Sequence, residues 1–303
     1  MTNRGKILFV ALALIWGIPY FLIKVAMSGL TPASLVFLRT GLGAALLLPF
    51  VLARGNLRAL ASRWRPLLLF TVVELAIPWV LLSDVERRVT SSLAGLMVAS
   101  VPLVGALLSR ATGGRDRLGS LEIGGLVTGF VGVVILLGFN LGTGDLWAIV
   151  EMLLVVVGYA IGPMVIARRL ADLPVLEVVT ASLVLCALAY APIGILQLPD
   201  RLPSSAVICS VIGLGVLCTA VAFVAFFKLI AEVGPTRATV VAYLNPAVAV
   251  IAGVLLLDEP FTPSTALGFM LILAGAWFAA GRVRRDPETG KDPAMLSEPP
   301  LQD

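Results

Sequence analysis

Residues 238–261 read ATVVAYLNPAVAVIAGVLLLDEPF and place a proline in the middle of an apolar run long enough to cross a bilayer. A matching stretch lies 144 positions earlier, where Ala94 corresponds to Ala238 and Pro102 to Pro246. The same offset relates three more pairs: Gly124 and Gly268, Pro19 and Pro163, and Lys24 and Arg168. A constant offset between the two halves predicts an internal structural repeat.

The composition is that of an integral membrane protein. Of the 303 residues, 59% are hydrophobic and 13% are charged, whereas soluble domains average about 25% charged residues. Ten apolar runs are long enough to span a bilayer as helices: 7–27, 32–53, 66–83, 91–109, 121–139, 146–167, 175–196, 206–229, 237–257 and 264–281. We therefore predict an all-α integral membrane fold with ten transmembrane helices.

The positive charges predict the orientation of these spans. If the N-terminus is cytoplasmic, 16 of the 22 Lys and Arg residues fall in inner segments, and only Arg87, Arg88 and Arg201 fall in outer loops. Because cytoplasmic loops carry an excess of Lys and Arg, this bias predicts a multi-pass protein of the cell (inner or plasma) membrane with both termini in the cytoplasm. It also accounts for the net charge of +4 without a nucleic-acid partner.

The repeat divides the chain into two halves of five spans each. Because five is odd, the second half must enter the membrane from the opposite side, which predicts inverted repeats of the kind found in secondary transporters. We predict a first repeat over residues 1–144, a second over 145–281, and a disordered cytoplasmic tail over 282–303, which is polar and contains prolines.

Charged residues lie deep within several predicted spans. Glu74 falls at the midplane of the third span, where ionisable residues are functional candidates; the alternative is a structural hydrogen bond to a neighbouring helix. Arg39 lies eight residues into the second span, and substrate contact and structural pairing are both open. From its depth in the sixth span, Glu151 is predicted to pair with Arg39 or Lys24.

Aromatic and amide side chains form a second group of candidate site residues. Trp16, Tyr20 and Lys24 share one face of the first span, either as a cavity wall or as an interfacial belt with a snorkelling lysine. Tyr159 lies in the sixth span, and Tyr243 and Asn245 lie in the ninth. The last two occupy different faces, so only one of them is expected to face a cavity.

Prolines and glycines predict breaks and close contacts. Pro102 and Pro246 are each predicted mid-helix, and Pro78 removes the N–H that would bond the Glu74 carbonyl. With Pro19 and Pro163, these prolines are the candidate helix breaks and hinges. The pairs Gly125 and Gly129, and Gly158 and Gly162, have the GxxxG spacing that allows helices to approach closely.

A set of motifs extends over residues 5–281: Trp16-Gly17 with Lys24, Pro32 with Arg39, the two segments 94–102 and 238–246, and Glu259 followed by Gly268 and Gly275. In the order and spacing of these motifs the chain resembles the EamA family of the drug/metabolite transporter superfamily. The resemblance implies a ten-helix exporter of amino acids, other small metabolites or drugs, with a central cavity lined by both halves. Cys218 occupies the position equivalent to Glu74, so any proton coupling would be asymmetric.

We therefore expect a secondary transporter working by alternating access, in which Glu74 binds a proton or a cationic substrate group; an uncoupled uniporter is the alternative. An intramembrane enzyme is disfavoured because the chain has no histidine and no pair of acids at depth, and the deep charges argue against a non-transporting scaffold. No metal or cofactor is expected. The expected partners are a small-molecule substrate and the lipid bilayer. The sequence determines neither the identity of the substrate nor whether the protein forms a homodimer.

Overall fold

The computed structural model describes residues 2–54, 57–112, 120–140, 146–233, 241–242 and 244–279, and it is all-helical over the regular elements of these ranges. Seven described helices are long and apolar enough to cross a membrane: Asn3–Ala26, Pro32–Ala53, Trp64–Val85, Ser91–Ser109, Leu146–Arg169, Val175–Leu196 and Ser205–Val233. Three shorter apolar helices cover Ile123–Leu136, Asn245–Leu257 and Pro263–Phe278. Each predicted run overlaps one of these helices, so the prediction of a helical membrane protein is confirmed.

The helices are labelled in chain order, with a short helix, Leu57–Ser62, between the second and third. Their bounds are α1 Asn3–Ala26, α2 Pro32–Arg54, α3 Trp64–Val85, α4 Ser91–Val98 continued by Val101–Ala111, α5 Ser120–Asn140, α6 Leu146–Arg169, α7 Val175–Leu196, α8 Ser205–Val233, α9 Asn245–Leu257 and α10 Pro263–Ala279. Several begin at hydroxyl caps, where the side chain accepts a hydrogen bond from an early backbone N–H: Thr2 from Gly5, Thr90 from Leu93 and Ser204 from Val207.

Prolines divide some helices and not others. α1 is broken at Ile18, directly before Pro19, and α4 is interrupted at residues 99–100, before Pro102. By contrast, α6 continues through Pro163. The prediction that Pro246 lies mid-helix was wrong for the described residues: it is the second residue of α9, where a missing N–H needs no helical partner. Residues 237–240 and 243 of the predicted ninth span lie outside the described residues.

Glycines bring pairs of helices into close contact, as their spacing predicted. In α10, a Cβ added to Gly275 would lie 2.6 Å from the Gly125 carbonyl oxygen and would overlap the backbone of Gly129. Two turns earlier in that helix, Gly268 packs against Leu136 of α5. On α6, Gly158 and Gly162 face α3. The backbones approach too closely at Gly158 and Gly275 to admit a methyl group.

The helix pairs follow a pattern that is preserved when the two halves are exchanged. α2 packs on α7, α4 on α9 and α5 on α10, which pairs each helix with the helix five positions later. The contact of α3 with α6 has its counterpart in the contact of α8 with α1. Much of the interior is therefore built between the halves, and a site at their contact draws residues from both.

Candidate functional site

The middle of α3 is a π-helix, Thr71–Ala76, which carries Glu74. At its end the N–H of Ile77 donates to the carbonyl oxygen of Val72, five residues back. In this register the N–H that Pro78 lacks would have bonded Val73 rather than Glu74, which corrects the predicted free carbonyl. Gly158 of α6 lies directly against the Val73 oxygen, so the freed carbonyl is covered by a neighbouring backbone.

A second π-helix, Gly213–Val221, lies in the middle of α8. Within it, the Thr219 hydroxyl group donates to the carbonyl oxygen of Leu214 at 2.8 Å, which is also five residues back. Shifted by 144 positions, the first π-helix falls on residues 215–220, inside the second. π-Helical turns recur at functional sites, and here they occupy equivalent places in the two halves, with Cys218 at the position of Glu74.

The Glu74 side chain is enclosed by α6. Its Oε2 atom is buried and has no hydrogen-bond partner among the described residues. A Cβ placed on Gly162 would overlap that oxygen and would lie 2.8 Å from the carboxyl carbon. Glycine at position 162 leaves room for the carboxyl group in this position, and its Oε2 atom can accept a proton or a hydrogen bond from a cationic donor.

The Arg39 guanidinium lies over an aromatic ring. Its Cζ atom is 3.6 Å from the ring centroid of Trp79, well within the range of a cation–π interaction. Arg39 is 5% exposed, and its Nε atom has no hydrogen-bond partner among the described residues. Trp79 was not predicted as a site residue, although an aromatic ring directly after Pro78 and remote from either interface was a usable signal. Arg39 therefore has an unused donor facing the interior.

Two tyrosines join this cluster. Tyr159 of α6 interacts with the Trp79 side chain and lies within electrostatic range of both Glu74 and Arg39. Tyr20 of α1 is 7% exposed and lies within electrostatic range of Tyr159. The structure thus brings together four predicted site residues, Tyr20, Arg39, Glu74 and Tyr159, from helices of both halves. We call these four, with Trp79, the central cluster.

The remaining predicted site residues have other neighbours. The ring of Trp16 packs on Phe226 and Phe223 of α8, with centroids 4.8 and 6.1 Å away. Asn245 begins α9, and its Oδ1 atom is buried without a hydrogen-bond partner among the described residues. Tyr243 lies outside the described residues. Among the described residues, Trp16 and Asn245 make none of the contacts that define the central cluster.

Lys24 of α1 is a structural residue that binds the segment after α3. Its Nζ atom donates to the carbonyl oxygens of Glu86 at 2.6 Å and Val89 at 2.7 Å. A cation at the C-terminus of a helix satisfies free carbonyls and interacts favourably with the helix dipole. These two hydrogen bonds give Lys24 a structural role that differs from both predicted alternatives, the wall of a cavity and a snorkelling lysine in an interfacial belt.

The predicted partners of Glu151 were wrong. Its carboxylate accepts from the Arg88 guanidinium, which also donates to Asp84 at 2.7 Å. Glu151 is 3% exposed, so the pair joins the segment after α3 to the buried face of α6. Depth in the membrane had suggested Arg39 or Lys24, but it does not determine which side of a helix a residue occupies.

Glu259, which carried part of the family resemblance, caps α4. Its Oε1 atom accepts from the N–H of Ser91 at 2.7 Å, and its Oε2 atom accepts from the N–H and hydroxyl of Ser92 at 2.9 and 2.6 Å. The preceding Asp258 has φ 53°, which turns the chain so that Glu259 reaches this position. A carboxylate at a helix N-terminus satisfies free N–H groups and complements the helix dipole.

We expect Glu259→Ala to lower the stability of the protein. Three buried donors would lose their acceptor, at a cost of about 1–3 kcal/mol for such groups. The measurement is the thermal unfolding temperature in detergent. Asp258→Asn is the matched control, because asparagine tolerates a positive φ; equal unfolding temperatures for the two variants would contradict the capping role.

A cavity of about 350 Å³ lies at the end of the bundle formed by the α7–α8 connection. Its lining includes Leu30, Leu38, Leu198, Arg201, Leu202 and Val211. None of the predicted site residues lines it. This cavity is therefore separate from the central cluster.

The comparisons with known proteins agree with this architecture. A model of the EamA-like transporter family matches residues 3–138 and again residues 144–281. The inner membrane transporter YedA of Escherichia coli K12 is 31% identical over 251 residues, covering 80% of this chain and 79% of YedA. A transporter of Archaeoglobus fulgidus is 23% identical over 269 residues, covering 86% of this chain and 93% of its own length.

One solved crystal structure shares the fold, with a TM-score of 0.64 at 22% sequence identity, covering 92% of this chain and 97% of that chain. The family model covers nearly the whole described chain and confirms the resemblance drawn from the sequence motifs. The chain therefore belongs to the EamA-like transporter family and is a multi-pass membrane transporter.

Proposed function

We propose that this protein is a secondary transporter that exports amino acids, other small metabolites or drugs by alternating access. The observation that carries the proposal is the central cluster, in which a buried guanidinium and a buried carboxyl group lie between helices of both halves. Charges at membrane depth are expensive, and in transporters they mark substrate and ion pathways. Substrate would bind at this cluster and be exposed to each side in turn.

The proposed halves are inverted repeats over residues 1–144 and 145–281. Three observations support this assignment: the helix pairing survives exchange of the halves, the two π-helices occupy equivalent positions, and the family model matches twice. Inverted repeats can exchange conformations around a shared site, which is the geometric basis of alternating access. Pro19, Pro102 and Pro246 lie at helix breaks or starts, where hinges are proposed.

Side-chain contacts support the proposed arrangement of the loops. Lys24 and Glu151, both predicted near the outer surface, contact the segment after α3. Arg63 pairs at 2.8 Å with Asp172, and the two residues lie in the connections after the second and the sixth predicted spans, which are on the same side in the predicted topology. These contacts support the grouping of the loops at the two ends of the bundle, and the excess of Lys and Arg in the predicted inner segments supports cytoplasmic termini in the cell membrane.

The central cluster favours a zwitterionic substrate among the proposed classes. The free Nε donor of Arg39 suits a carboxylate, and the free Oε2 acceptor of Glu74 suits an ammonium group or a proton. Tyr159 lies within electrostatic range of both residues. Proton coupling through Glu74 is the proposed mechanism, and uncoupled facilitated transport is the second candidate.

Binding of a metabolite panel to purified protein tests the proposal. The panel contains amino acids, their decarboxylated amines, their deaminated acids and cationic drugs, and binding is read as a rise in unfolding temperature, because a ligand stabilises the state that it binds. We expect amino acids to stabilise the protein more than either single-charge analogue. No stabilisation by any compound in the panel would contradict a solute-binding site of this kind.

A further inference from the structure

Glu86 is a fully buried acidic residue. It follows α3 directly, its side chain is 0% exposed, and neither Oε1 nor Oε2 has a hydrogen-bond partner among the described residues. Three other acids near this end of the bundle are hydrogen-bonded: Asp84 and Glu151 to Arg88, and Glu259 to the start of α4. A buried ionised carboxylate with no donor is costly, so this arrangement favours the protonated form.

Charged and titratable groups from several helices lie within electrostatic range of Glu86. They are Lys24 and Tyr20 on α1, Arg39 on α2, Tyr159 on α6 and Glu259 after α9. The nearest cation, Lys24, directs its ammonium group to backbone carbonyl oxygens. Burial raises the pKa of Glu86 well above its usual range, Lys24 and Arg39 oppose that rise, and Glu259 adds to it.

The segment that contains Glu86 is held from three sides. We call residues 86–92 the outer strap. Lys24 of α1 donates to two carbonyl oxygens of the outer strap. Glu151 of α6 accepts from Arg88. Glu259 accepts from the N–H groups of Ser91 and Ser92, the last two residues of the strap. Two of these three attachments come from the second half, so a relative movement of the halves must break them.

We propose that Glu86 is a proton-binding site that controls closure of the outer strap. This inference rests on the proposed function, because closure of one end has a role only in a transporter. With a proton on Glu86, the strap closes over a neutral side chain. When the proton leaves, the strap would cover an unpaired negative charge, and the segment is released so that the carboxylate reaches water.

The sign of the pH dependence follows from the burial. A carboxyl group whose pKa is raised in the closed arrangement stabilises that arrangement while it holds its proton, and the stabilisation is lost as the pH rises through the raised pKa. Closure is therefore expected at low pH and release at high pH, with a midpoint above the usual range for a glutamate.

The test is a distance measurement by pulsed electron paramagnetic resonance on the full chain in lipid nanodiscs. Nitroxide labels are placed by Arg87→Cys, in the outer strap, and Leu202→Cys, in the α7–α8 connection; both side chains are exposed. The three natural cysteines, Cys186, Cys209 and Cys218, are replaced by alanine. No substrate is added, so the result does not depend on transport.

We expect one short-distance population at low pH and growth of a longer one as the pH rises, in a single-proton transition. Glu86→Gln, which is always neutral, is expected to keep the short population throughout. Glu177→Gln is the matched control, because Glu177 also has a buried oxygen without a hydrogen-bond partner among the described residues but lies outside the central cluster; it is expected to keep the transition. A distance distribution that does not change with pH, a transition that survives Glu86→Gln, or one that disappears in Glu177→Gln would each overturn the assignment to Glu86.

Glu259→Gln provides an independent variant should Glu86→Gln fail to fold. It removes a negative charge that acts on Glu86 and keeps an acceptor oxygen for α4. The midpoint is expected to move to lower pH, and an unmoved or raised midpoint would overturn the proposal. Failure of the proposed function is a separate result, because it would appear as absent flux while the distance transition persists.

Discussion

Replacement of Gly158 by alanine is expected to lower the unfolding temperature, whereas the same replacement at Gly41 is expected to leave it unchanged or raise it. A Cβ at Gly158 would overlap the Val73 carbonyl oxygen and would lie 2.8 Å from the Pro78 ring. Neither group belongs to a flexible side chain, so α3 and α6 must separate. Overpacking of this kind costs about 1–3 kcal/mol.

Gly41 is the matched control for this prediction. It lies within α2, and a Cβ added there meets nothing within 4 Å. Alanine is a better helix former than glycine by up to about 1 kcal/mol, so the two replacements are expected to act in opposite directions. Thermal unfolding in detergent measures both, and equal shifts would contradict the close contact of α3 with α6.

Glu74→Gln is expected to abolish the acceleration of transport by a proton gradient. Glutamine retains the size that fits against Gly162 but cannot gain or lose a proton at the pH of the assay. In proteoliposomes, flux of the best-binding compound under an imposed pH gradient should fall to the rate measured without one. The unfolding temperature is expected to stay close to that of the unchanged protein, which separates loss of coupling from loss of fold.

Glu177→Gln is the matched control for Glu74→Gln. Glu177 also has a buried oxygen without a hydrogen-bond partner among the described residues, but it lies in the first turn of α7, near water. We expect its replacement to leave the gradient effect intact. Unchanged pH dependence in Glu74→Gln would remove this residue from the coupling mechanism and favour uncoupled transport.

The sequence was sufficient to predict the helices because the information is local. Each apolar run has the length and composition that a bilayer requires, and each overlaps a described apolar helix. The break at Pro102 and the close contacts of Gly158 and Gly275 were likewise predictable from proline and glycine chemistry. The start of α9 at Asn245 was not, since it depends on the chain before it as well as on Pro246.

The partners of charged residues could not be predicted, because position along a span gives depth and leaves the direction around the helix axis undetermined. Arg39 faces Trp79 and Glu151 faces Arg88, although depth alone allowed Arg39 and Glu151 to meet. Glu86 was overlooked for a related reason. In the sequence it is one acid in a short polar loop, and its burial arises only when helices from both halves close around it.

The two π-helices also could not be predicted from the sequence. A hydrogen-bond register is set by small energy differences, and in α3 it is coupled to the contact of Gly158 with the Val73 carbonyl oxygen. The structure has a π-helix at equivalent places in the two halves. Glu74 and Cys218, which are 144 residues apart, therefore correspond in backbone conformation as well as in sequence position.

Substrate counterflow in proteoliposomes tests alternating access most directly. Vesicles containing the purified protein are loaded with the unlabelled compound that binds best in the panel and are diluted into a trace of the labelled compound. A carrier that alternates between two sides exchanges the internal pool for external label, so we predict transient accumulation of label above its external concentration. Label that only approaches equilibrium, at the rate seen in protein-free vesicles, would contradict the account.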